Sequence, residues 1–201
     1  MLFDGPDDSP HTLVLAHGAG GGMRTAFLTA VARGVGERGI RVVRFEFPYM
    51  QAKRRAPDRQ PVLLQAWRDV AAELGGGERL VIGGKSMGGR MASMVADELH
   101  VRGLVCLGYP FHPPGAPEKT RTEHLAALRT PTLILQGTRD PFGTRDDVAG
   151  YALSPAITLE WLEDGDHSFK PRASSGFTET EHLRRSVDAI ATFLTARETK
   201  S

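Results

Sequence analysis

Apolar residues along this chain fall in short continuous runs separated by longer stretches with helical spacing. Leu13-Val14-Leu15, Leu80-Val81-Ile82, Leu104-Val105-Cys106-Leu107 and Leu133-Ile134-Leu135 lack the polar alternation of a half-exposed strand. Runs of this kind suit strands covered on both faces. Strands are predicted near 12–16, 40–45, 79–83, 102–108, 132–136 and 157–162. Helices are predicted near 24–37, 61–74, 87–99, 122–128, 145–152 and 179–197. Pro61 in the first turn and Gly75-Gly76-Gly77 at the end bracket the second of these. The alternation predicts an α/β fold, a mostly parallel sheet with helices on both faces. Prolines and a glycine mark 109–121 as loop. With no internal repeat, linker or low-complexity tract, residues 1–201 are read as one domain.

Composition narrows the picture without redirecting it. The chain has 201 residues, 40% hydrophobic and 24% charged, with a net charge of +1, so no general attraction to nucleic acid or membrane is expected. The opening MLFDGPDDSPH has neither a basic nor an apolar leader segment, and no apolar run approaches the roughly 18–20 residues of a membrane span. A cytoplasmic location is the default expectation. The single cysteine, Cys106, lies within an apolar run and reads as a core residue. Metal-ligand spacings such as H-E-x-x-H or paired C-x-x-C do not occur, and no cofactor is expected.

The chemistry concentrates in 80–99. An apolar strand enters Gly83-Gly84-Lys85-Ser86-Met87-Gly88-Gly89, and an amphipathic helix pattern follows at once. Gly84-x-Ser86-x-Gly88 is a nucleophile-elbow signature in its strand–turn–helix context. The turn must lift a serine hydroxyl above the sheet, and a Cβ two residues to either side would collide with neighbouring backbone. Two rival readings fail on spacing. A phosphate-binding loop ending in Gly-Lys-Ser needs a glycine where Arg79 stands. The glycine run 18–22 puts Met23 where a dinucleotide fingerprint needs its third glycine, and Glu46 lies beyond the usual interval to a ribose-binding acid.

A serine nucleophile needs a base, and the base needs an acid to orient it. The predicted strand 132–136 runs into Gly137-Thr138-Arg139-Asp140, and the next strand runs into Gly165-Asp166-His167. Both loops leave the C-terminal ends of parallel strands, where ligands bind in open α/β sheets. Ser86 is therefore the expected nucleophile, His167 the general acid/base and Asp140 its orienting acid. Asp146, Asp147, Asp164 and Asp166 compete for the last role, and a turn-capping function competes for Asp140 itself. Oxyanion donors are expected from the Met87 N–H and from the loop His17-Gly18-Ala19-Gly20-Gly21, with Ala19 first and Gly20 second. His17 is expected to support that loop and His112 is a candidate lining residue. His11, His100, His124 and His182 read as surface or helix-end residues.

Taken in order, HGAGG, FEFPYM, GGKSMGGR, QGTRDPFG and GDHSF resemble the small uncapped α/β-hydrolases related to dienelactone hydrolases. The branch they resemble most contains testis-expressed hydrolase-like proteins and a chromatin-complex subunit. The resemblance runs from about Leu13 to the last helix. It implies an α/β-hydrolase fold, and roles matching Ser86, Asp140, His167 and the Met87 amide.

Two departures shape the expected activity. Met1–Pro10 leave room for only a shortened leading hairpin, or none, and 109–131 are too few for a cap domain. An open site suits small or short-chain acyl groups. The expected function is a serine hydrolase acting on carboxylic esters or thioesters, with a small molecule as partner. A non-catalytic scaffold on the same fold is the alternative. The basic stretch 53–59, with Lys85, is a candidate for binding an anionic substrate group, against the alternative of a solvated loop.

Overall fold

Every predicted strand joins one seven-stranded sheet in a computed structural model that describes residues 1–196. The strands are β1 (Leu2–Asp4), β2 (Thr12–Ala16), β3 (Arg41–Phe45), β4 (Leu80–Lys85), β5 (Gly103–Leu107), β6 (Thr132–Gly137) and β7 (Ile157–Leu162), ordered β1-β3-β2-β4-β5-β6-β7. All neighbouring pairs are parallel except β1 with β3. The helices are α1 (Ala26–Gly36), α2 (Pro48–Gln51), α3 (Gln60–Glu73), α4 (Met87–Val95), α5 (Glu123–Ala126), α6 (Arg145–Ala149) and α7 (Glu179–Thr195). The predicted last residue of the final helix, Arg197, lies outside the described residues.

The short apolar runs are buried because each strand is covered twice. Along β2, Leu13 and Leu15 face one layer with Val42, Val81, Val105 and Leu133. Val14 and Ala16 face the other with Val43, Ile82, Cys106 and Ile134. α1 and α7 cover the first layer through Leu28, Val31, Val187 and Ile190. α3 and α4 cover the second through Trp67, Val70, Ala92 and Val95. Each such leucine or isoleucine contributes ~2 kcal/mol by leaving water. A period-2 side-chain pattern buried on both faces therefore reads in the sequence as an unbroken apolar run.

Three elements differ from expectation. β1 is a strand of three residues, too short and too polar in context to be read from the sequence, and it pairs antiparallel with β3. Arg44 on β3 holds it: the buried guanidinium pairs with Asp4 at 2.8 Å and also donates to Thr29 Oγ1 and the Met23 carbonyl. α2 is a four-residue helix opened by Pro48, below the length at which periodicity is visible. α4 ends at Val95 rather than near 99, continuing as tight turns. His100 takes a left-handed conformation (φ 52°) while the Val101 N–H returns to the Ala96 carbonyl, a Schellman-type termination. Between β5 and β6 the described chain forms only α5 and loops.

Candidate active site

Ser86 sits in the turn between β4 and α4 with φ 51° and ψ −115°, a conformation costly for a residue with a Cβ. Its N–H donates to the Leu107 carbonyl at 3.0 Å, tying the turn to β5. The flanking glycines are there for space. A Cβ on Gly84 would lie 2.2 Å from the Ala16 carbonyl oxygen, and one on Gly88 would lie 2.6 Å from the same atom. Main chain cannot yield to such contacts, so β4 and α4 can pack this closely against β2 only as glycine. The first amides of α4, Met87 among them, have no intrahelical acceptor and form its partly positive end.

The glycine loop after β2 is fixed from behind by two buried rings. The Phe47 N–H donates to His17 Nε2 at 3.1 Å, which leaves the proton on Nδ1 to be donated to the Gly18 carbonyl at 2.8 Å. Burial lowers the His17 pKa, more than its bond to Gly18 and the field of Glu46 raise it, so the ring is neutral as that pairing requires. The Tyr49 hydroxyl, on α2, donates to the Ala19 carbonyl at 3.1 Å. With the Gly18 and Ala19 carbonyls turned toward these rings, trans peptide geometry turns the Ala19 and Gly20 N–H groups the opposite way. Tyr49 was not singled out by the sequence, because its contact spans 30 residues.

Asp140 and His167 meet from the loops after β6 and β7. His167 Nδ1 donates to Asp140 Oδ2 at 2.7 Å. The fully buried Asp140 also accepts from Gln136 Nε2 at 2.9 Å and from the Phe142 N–H at 2.9 Å. It therefore caps its own turn and holds the ring at once. Gln136 is fixed in turn, accepting from the Tyr109 N–H at 2.7 Å. Phe142 lies against the imidazole with ring centroids 4.4 Å apart. Three of the competing acids are engaged elsewhere, and the fourth, Asp146, is exposed in the first turn of α6. Asp147 completes the capping box of α6. Asp164 pairs with Arg172 and Arg139, and the Arg172 hydrogen bond lowers its pKa to about 2. Asp166 accepts from the Ser168 and Lys170 N–H groups.

Ser86 and His167 line one cavity of about 410 Å³, with Gly18, Ala19, Gly20 and Gly21 on one side. Phe27, Leu28 and Phe142 supply apolar walls, and Thr25, Lys85 and Ser168 complete it. A groove of about 710 Å³ between β7 and α7 holds none of these residues. Among the described residues no group of three or more His, Cys, Asp or Glu is arranged to hold a metal ion, and no helix is long and apolar enough to cross a membrane.

Several expectations are corrected. None of residues 53–59 lines the cavity: α2 leads into a surface loop that closes on itself through an Arg54–Asp58 pair at 2.7 Å. His112 is outside the cavity wall, with Nδ1 at 2.7 Å from the Pro113 carbonyl and Nε2 at 3.3 Å from Asp147. His11 and His182 are buried, and His182 Nδ1 donates to the Phe169 carbonyl at 2.7 Å, bracing the segment after His167. His124 is half-buried against Ser93, and burial, with the Arg90 charge, pushes its pKa down to about 4. Glu46 accepts from the Met23 N–H and so serves the glycine loop.

A mostly parallel sheet with a serine elbow after its central strand and an acid–histidine pair on the loops after its last two strands defines the α/β-hydrolase class. The chain belongs to the alpha/beta hydrolase domain family, whose model matches residues 9–195. Its fold is similar to that of an α/β serine hydrolase without a lid from Xanthomonas campestris, at 22% identity and a TM-score of 0.73, covering 96% of this chain and 88% of that one. It is also similar to Est1E from Butyrivibrio proteoclasticus, solved with ferulic acid bound, at 16% identity and a TM-score of 0.74, covering 99% and 95%. A serine hydrolase homologue from Coxiella burnetii matches at 18% identity and a TM-score of 0.71, covering 96% and 90%.

Proposed function

We propose that the protein is a serine hydrolase that cleaves carboxylic esters or thioesters of small or short-chain acyl groups. The observation that carries this reading is the Asp140–His167 pair at 2.7 Å, facing the cavity that Ser86 enters from its strained turn. With Nδ1 committed to Asp140, His167 keeps Nε2 for the Ser86 hydroxyl, the tautomer a general base requires. Ser86 attacks the acyl carbon and His167 takes the hydroxyl proton, then passes it to the leaving alcohol or thiol. Water, deprotonated by the same nitrogen, clears the acyl-enzyme and restores the serine. The Met87 N–H and that of Ala19, or of Gly20 beside it, receive the oxyanion, and the orientation of the Gly18 and Ala19 carbonyls supports both loop candidates.

The cavity volume and its apolar walls support compact acyl groups over long chains. The partner is a small molecule, with no nucleic acid or membrane partner, and the location is cytoplasmic. Kinship with the testis-expressed and chromatin-subunit branch rests on GGKSMGGR and QGTRD. The test is labelling with a fluorophosphonate, followed by peptide mass mapping. Modification of Ser86 in the wild type and its loss in Ser86→Ala is the expected result. A folded wild type that takes no label would reject the reading in favour of an interaction protein.

A further inference from the structure

One half-buried charge is left unused by this chemistry. Lys85 ends β4 one residue before the nucleophile, and its side chain lines the same cavity. Its ammonium donates to the main-chain carbonyl of His167, 82 residues away, and lies 5.6 Å from the centroid of the Phe27 ring. Among the described residues it forms no ion pair with a carboxylate. Gly108, just past β5 with φ 66°, keeps the meeting point open: a Cβ there would lie 3.0 Å from both Lys85 Nζ and the His167 oxygen. A methionine would fill nearly the same volume without burying a charge. An ammonium held in a cavity wall with no carboxylate in contact costs stability and is therefore informative.

We propose that Lys85 is a positioning residue for the acid–base histidine, holding the His167 main chain while Asp140 holds its ring. The inference rests on the serine hydrolase reading. With the ring bond alone, the imidazole could pivot about the Nδ1 to Oδ2 axis. The second anchor, on the carbonyl of the same residue, removes that freedom and links the histidine loop directly to the residue preceding the serine. Misplacement of a catalytic group by about 1 Å can cost ~100-fold in rate.

The tether also depends on pH. Lys85 faces Asp140 from the loop after β6, and Asp166 and the His167 ring from the loop after β7; β5 and α1 present Gly108 and Phe27. Burial lowers the ammonium pKa to about 8, and the fields of Asp140 and Asp166 offset this only in part. As the pH rises through 8, a charge-assisted bond becomes a neutral amine contact and loses strength. Stability moves the opposite way. The unfolded chain keeps this proton up to about 10.5, so between pH 8 and 10.5 it binds more protons than the folded one, and Lys85 makes folding stability rise with pH.

The experiment compares wild type with Lys85→Met in the full chain. It measures the rate of fluorophosphonate inactivation from pH 6 to 9, amide hydrogen exchange across 165–169, and urea denaturation at pH 7 and 10. The expected result for Lys85→Met is inactivation at least ~10-fold slower at pH 7, without the descending limb near pH 8 that the wild type shows. Exchange across 165–169 becomes faster, and the stability gain toward pH 10 is lost. Inactivation within twofold of wild type with unchanged exchange overturns the proposal. Should Lys85→Met not fold, a wild-type inactivation rate that does not fall above pH 8 overturns it as well. A wild type that takes no label at any pH removes the hydrolase reading instead. The exchange rates then decide the tether alone: faster in the variant upholds it, unchanged rejects it.

Discussion

The two halves of the site are held by different means. On the serine side, the elbow and the glycine loop are shaped by main-chain contact: Gly84 and Gly88 pack where no Cβ fits, and two buried rings grip the carbonyls of the loop. On the acid–base side, Asp140 and His167 are placed by side-chain hydrogen bonds that run from Gln136 through Asp140 to the imidazole. The elbow is fixed by exclusion and the acid–base pair by attraction. Damage to them should therefore differ in kind, as lost stability on one side and lost rate on the other.

The largest effect expected from this contrast is on rate. Asp140→Asn leaves the shape nearly intact but takes the charge from the ring's partner and allows the wrong tautomer. Ester hydrolysis at pH 7 should fall ~10³-fold or more, with KM little changed. A loss below tenfold in steady-state kinetics would show that Asp140 does not orient the base. Next comes a stability effect on the opposite half. Gly88→Ala drives a Cβ into the Ala16 and His17 carbonyls, at 2.6 and 2.7 Å, and should cost about 2–3 kcal/mol in urea denaturation. An unchanged midpoint would mean that the elbow has slack the contrast denies. The smallest effect is expected at Tyr49→Phe, which leaves the Ala19 carbonyl without its hydroxyl donor. About 1 kcal/mol of stability and a ~3–10-fold lower kcat should follow. A change confined to KM would place Tyr49 on substrate binding rather than on the loop.

The same contrast explains what the sequence made legible. Exclusion leaves a local mark, since glycines two residues on either side of Ser86 stand next to it in the chain. The strands were equally plain, because double-sided burial writes itself as unbroken apolar runs such as Leu104–Leu107. Asp140 could be chosen over its neighbours by strand order, as the acid after β6. Attraction leaves little local trace. Gln136 acts through Tyr109 27 residues away, and Lys85 through His167 82 residues away, so neither role has a spacing to recognise. His182 does lie near a helix start, but α7 packs that turn against the segment following His167, a contact spanning 13 residues, so its burial has no local mark. The basic stretch 53–59 was placed by its position after a strand, and the intervening four residues of α2 redirect it.

The three residues of β1 have a consequence beyond sheet order. Arg44 reaches from the sheet to Asp4 on one side and to the Met23 carbonyl on the other, so β1 and the rim of the glycine loop share one guanidinium. Trimming Met1–Asp4, whether by a protease or by a shortened expression boundary, would strand that cation in the interior, a loss of about 3–5 kcal/mol when one member of a buried pair is removed. Residues 1–4 are thus a fastening for the segment leading into α1, and material lacking them should melt early and bind poorly for the same reason.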